Sequence, residues 1–164
     1  MVENFATGLI TLMGGLPGLG QPVDAQFRSE FAALLGVNPH VVVSNRPVAE
    51  IGIEHLPAIV VEQGDGNAAP ISEGDDQFLA IGGGIQSFSS TLDMAVVWKE
   101  QDHTTAFTQR TRLPDIFARF LLRNPRPGGI AGAWLASWEA DRAVNHPTQI
   151  WVCTIRGDYE VLRS

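Results

Sequence analysis

Between Leu92 and Lys99 the chain alternates without a break: Leu92, Met94, Val96 and Trp98 in one register, Asp93, Ala95, Val97 and Lys99 in the other. Successive side chains of a strand point to opposite faces, so this period of two predicts a β-strand with one face turned to a core. Such a strand cannot stand alone. It needs neighbours in a sheet and a second layer over its apolar face. What the rest of the sequence can supply for those two needs decides the fold.

Helical stripes supply the covering layer. Phe27, Phe31, Leu34 and Leu35 recur at helical spacing behind Asp24, whose carboxylate suits an N-cap, and Gly36 suits a stop. Leu113, Ile116, Phe117, Phe120 and Leu121 form a second stripe, capped by Asp102 or Thr104 and ended by Asn124 to Gly129. Pro114 opens that stripe and is expected to kink the helix or begin a new one. A third stripe, Phe5, Leu9, Leu12 and Met13, runs into Gly14-Gly15-Leu16-Pro17-Gly18-Leu19-Gly20. This break sets residues 1–21 apart as an N-terminal extension or docking arm, ahead of a single domain over 22–164. The apolar face of the arm needs a partner, either this core or a neighbouring chain.

Further strands are expected at His40 to Ser44, Leu56 to Glu62, Phe78 to Ile85 and Trp134 to Glu139. In the last of these Trp134, Ala136 and Trp138 share a face. Ile150 to Ile155 is apolar on nearly every residue, which predicts a strand covered on both faces and prolonged to Tyr159 and Val161. Gln63 to Asp76 is rich in Gly, Asp and Asn and reads as an exposed loop. Helices flanking clustered strands give an α+β fold. The expected sheet is antiparallel or mixed, of four to five strands, with two main helices packed on one face. The four tryptophans, all on predicted strands, are expected chiefly in the sheet core, with some reserved for an interface.

The chemistry-bearing residues do not assemble a reactive site in sequence. His40, His55, His103 and His146 are scattered, none with a second His or Cys at ligand spacing, so no metal is expected. Cys153 sits inside an apolar strand pattern, where a free Cys acts as a small hydrophobe. Gly15 to Gly20 follows a helical stripe rather than a strand and lacks the Lys-Ser/Thr of a phosphate loop, and Gly82-Gly83-Gly84 leads into strand sequence instead of a helix. No cofactor and no catalytic residue is therefore expected, and the chain is read as not an enzyme. With 11 Lys plus Arg against 18 Asp plus Glu, the net charge of −7 opposes binding of nucleic acid through its phosphates. Lys99 is the single lysine, leaving a cationic complement of Arg that suits fixed ion pairs at interfaces. No basic signal-peptide start and no run of ~20 apolar residues is present, so a soluble protein made in the cytoplasm is expected.

The order of these elements resembles the tail terminator and minor-tail-protein family of long-tailed bacteriophages. The resemblance runs from the capped helix at Asp24 to Leu35, through the strand ending at Arg46-Pro47, the Leu56-Pro57-Ala58-Ile59-Val60-Val61 element, an acidic loop and the Leu92 to Trp98 strand, to the helix around Asp115 to Leu122 and closing strands near Tyr159. It implies a structural virion protein at the head-proximal end of the tail, assembled in the host cytoplasm. Its partners would be five further copies in a homohexameric ring, the tail tube protein and the head-side connector protein, with DNA passing through the bore without specific binding. The candidate contact residues are Phe5, Leu9, Leu12 and Met13 on the arm and Asp65, Glu73, Asp75 and Asp76 in the acidic loop. A head–tail connector or tail-completion subunit shares a similar plan. A small bacterial α+β ligand-binding domain or enzyme is the alternative from another class; it requires a pocket with convergent polar groups.

Overall fold

The computed structural model describes residues 2–15, 23–43, 55–70, 84–140 and 146–163. Over these the fold is α+β. Three helices, α1 (Val2–Met13), α2 (Ala25–Leu35) and α3 (His103–Arg123), accompany strands β1 (His40–Val43), β2 (Ala58–Pro70), β3 (Gly84–Lys99), β4 (Gly132–Ala140) and β5 (Thr148–Arg163). The five strands form one mixed sheet in the order β1-β2-β3-β5-β4. β1 runs parallel to β2 and every other pairing is antiparallel.

The alternating segment is the centre of this sheet. β3 pairs along its whole length with β5, from Gly84 opposite Arg163 to Lys99 opposite Thr148. Leu92, Met94, Val96 and Trp98 face the helices and are buried, together with Trp151, Cys153 and Ile155 across the ladder. α2 and α3 close over them through an aromatic cluster. Phe27 lies 4.5 Å from Phe120 and 5.4 Å from Phe117 between ring centroids, and Phe117 in turn lies 5.1 Å from Trp151. Rings meeting edge-on or tilted at these separations add to the burial of their area.

The helix ends follow their capping residues. The Phe27 amide donates to Asp24 Oδ1 at 2.9 Å, and Gly36 takes the left-handed conformation that ends α2. Asp102 accepts from the Thr105 amide at 2.7 Å at the start of α3. Pro114 does not begin a new helix: α3 is continuous from His103 to Arg123. An interior proline costs about 3 kcal/mol. The same core holds Ala106, Gln109 and Leu113 before it and Ile116, Phe117, Phe120 and Leu121 after it, and this shared burial outweighs the cost.

Gln109 is the one buried amide on that stripe. The Trp98 indole Nε1 donates to its Oε1 at 2.7 Å, and its Nε2 donates to the Leu34 carbonyl at 3.3 Å and to Glu100 Oε2 at 3.5 Å. A single side chain thus ties α3 to β3 and to the end of α2. Replacing it with leucine keeps the volume but strands a buried indole N–H, which costs about 2 kcal/mol. Urea unfolding of Gln109→Leu is expected to show that loss; a change under about 0.5 kcal/mol, the size of an ordinary surface substitution, would mean the network contributes nothing.

The N-terminal stripe finds its partner in this chain's own core. Phe5, Leu9 and Met13 are fully buried and Ile10 nearly so. α1 lies against the short turn Pro127–Gly129 with no side chain between them. A Cβ added at Gly8 would collide with the Gly128 backbone nitrogen, and one at Gly157 would stand 2.8 Å from the Phe5 ring. The end of α1 is fastened to the start of α2. The Asp24 amide donates to the Leu12 carbonyl at 2.8 Å, and Arg28 Nη1 donates to the Met13 carbonyl at 2.7 Å.

Three expected features of the sheet are corrected. β2 does not stop at Glu62: it continues to Pro70 through a register shift between Gln63 and Gly66, so the first half of the expected loop is strand. β3 offers partners on both sides of that shift, from Gln63 opposite Leu92 and again from Gly66 opposite Ser90, and the ladder overcomes the poor strand propensity of this stretch. The second face of the Ile150 to Ile155 segment is covered only in part: Ile150 and Thr154 are half-buried and Val152 is 39% exposed. Finally, Trp134 and Trp138 do not share a face. A register shift between Leu135 and Ser137 places Trp134 opposite Arg156 but Trp138 opposite the buried Cys153, on the helix side.

Candidate interaction surface

β4 is an edge strand, and α3 stops short of covering it. Between them lies an open groove of about 710 Å³. Its floor and walls are Leu135, Trp138, Ala140 and Trp151 from the sheet and Phe107, Pro114 and Ala118 from the helix; Arg110, Asp115 and Glu139 stand at its rim. Phe107 and Trp138 are 63% and 57% exposed. On the other face of the same edge Trp134 is 42% exposed, with the Arg156 guanidinium 5.6 Å from its ring centroid.

Two local features build this groove. Phe107, Pro114 and Ala118 fall on α3 at a spacing of seven and four, a second apolar stripe beside the one buried on α2 and the sheet. The register shift in β4 then swings Trp138 to the helix side to meet it. Among aromatic side chains, Trp is the type most enriched at the centres of protein interfaces. Among the described residues this strand edge has no neighbouring strand, and over its nine residues it carries no Lys, Arg or Pro, side chains that blunt an edge against pairing with another chain.

Reactive chemistry has little to work with among the described residues. No group of three or more His, Cys, Asp or Glu gathers as metal ligands. The histidines lie in two pairs, His40 stacked on His55 at 5.0 Å and His103 tilted against His146 at 4.7 Å. Burial pushes the Cys153 thiol far above its ordinary pKa and the neighbouring Asp93 charge pushes it further, which disfavours the nucleophilic thiolate. No helix among these residues is long and apolar enough to cross a membrane.

The structure separates the contact residues expected from sequence. Phe5, Leu9 and Met13 belong to the core and Leu12 packs partly buried against it. Asp65 is exposed on β2, where its carbonyl accepts from Thr91 Oγ1 at 2.9 Å. Glu73, Asp75 and Asp76 lie outside the described residues. Sequence reasoning passed over Phe107, whose seven-residue step to Pro114 was the available signal.

No family model matches the chain, and no curated protein matches it. Among solved structures, the chain is similar to a chain of the "Virion of native gene transfer agent (GTA) particle", with a TM-score of 0.42 and 17% identity over 80% of this chain and 84% of that one.

Proposed function

We propose that this chain is a structural subunit of a phage-like virion: a tail terminator that forms a homohexameric ring on the tail tube, stops its polymerisation and joins it to the head-side connector. The observation that carries the reading is the surface of Phe107, Trp138 and Trp134 around the open β4 edge. Exposed aromatic side chains of this kind, next to a strand edge without Lys, Arg or Pro, suit a surface for protein contact. The element order supports the same reading through its resemblance to tail terminators. The acidic balance of the chain fits a ring through which DNA slides, because like charge keeps the duplex from adhering.

Subunits of a ring meet head to tail through two different patches, and the sixth contact closes it. Sedimentation over a range of concentrations is therefore expected to show a hexamer, either throughout or above a threshold. Phe107→Ser combined with Trp138→Ser is expected to weaken assembly by about tenfold or more, the loss of one or two interface anchors, with the circular dichroism spectrum unchanged. A monomer at every concentration, with or without the substitutions, would overturn the ring.

A further inference from the structure

We draw no further inference here: the strongest candidate, the apolar groove between α3 and the free edge of β4, belongs to the surface already described, its rim mixes Arg110 with Asp115 and Glu139 so that charge selects no occupant, and nothing in the structure shows what covers it.

Discussion

A chain lacking residues 1–21 is expected to lose cooperative folding altogether. α1 contributes Phe5, Leu9, Ile10 and Met13 to the core. Truncating one fully buried side chain of this size costs about 2–5 kcal/mol. Removing four together therefore approaches or exceeds the 5–15 kcal/mol by which a domain is stable. Deletion would also uncover Ile130, Gly157 and the Pro127–Gly129 turn, which α1 now shields. The point test is Gly8→Val. Its side chain has no room beside the Gly128 backbone, so α1 must move off the turn, at a cost of about 3 kcal/mol or more, at or beyond the upper end of ordinary overpacking. Thermal unfolding followed by near-ultraviolet circular dichroism reads both changes, through the tryptophans above the core. A truncated chain that melts in a single sharp transition near the intact protein's would show that α1 is an appendage.

That expectation follows from one of the two partners the sequence leaves open for residues 1–21, this chain's own core. Periodicity identifies an apolar stripe but not what it packs against. Phe5 and Leu9 read the same whether the partner is this chain or another. The signal that the partner is internal lies far away, in Gly128 and Gly157, whose missing side chains make the room that α1 fills. Where local chemistry decides, the sequence is legible. Asp24 and Asp102 cap their helices, Gly36 ends α2, and the alternation at Leu92 to Trp98 marks the central strand. Where pairing over long separations decides, it is not. β2 runs on through Gly64 to Gly66 because β3 lies beside it, and Trp138 changes face because one residue of β4 has no counterpart on β5. The candidate surface depends on that second event, so its tryptophans were legible and its geometry was not.

Asp24→Ala is expected to cost about 3 kcal/mol at neutral pH, more than capping alone explains. The carboxylate does three jobs at once. It caps α2 through the Phe27 amide, accepts from Asn124 Nδ2 at 2.6 Å, and pairs with Arg123 Nε at 3.1 Å. Asn124 and Arg123 sit at the end of α3, so one nearly buried side chain fixes the start of one helix against the finish of the other. The cap accounts for about 1 kcal/mol. The charged hydrogen bonds across the helix pair supply the remainder, at about 1.5–3 kcal/mol for such bonds. Burial by itself would raise the Asp24 pKa, but the Phe27 amide, Arg123 and Asn124 outweigh it and hold the carboxyl below its ordinary value. A carboxyl whose folded pKa is depressed contributes stability that is fully present above its unfolded pKa of about 4 and is lost as pH falls through the folded value. Asp24→Asn separates the two parts of the effect, because an amide still caps a helix but carries no charge. Its stability gap from the parent chain is expected to be about 1–2 kcal/mol at pH 7, the share of the charged contacts, and to narrow steadily below pH 4. Denaturant titrations at pH 7, 5 and 3 measure that gap. If it stays constant across the three, the Arg123 pair contributes nothing to holding α2 against α3, and the cap alone explains the residue.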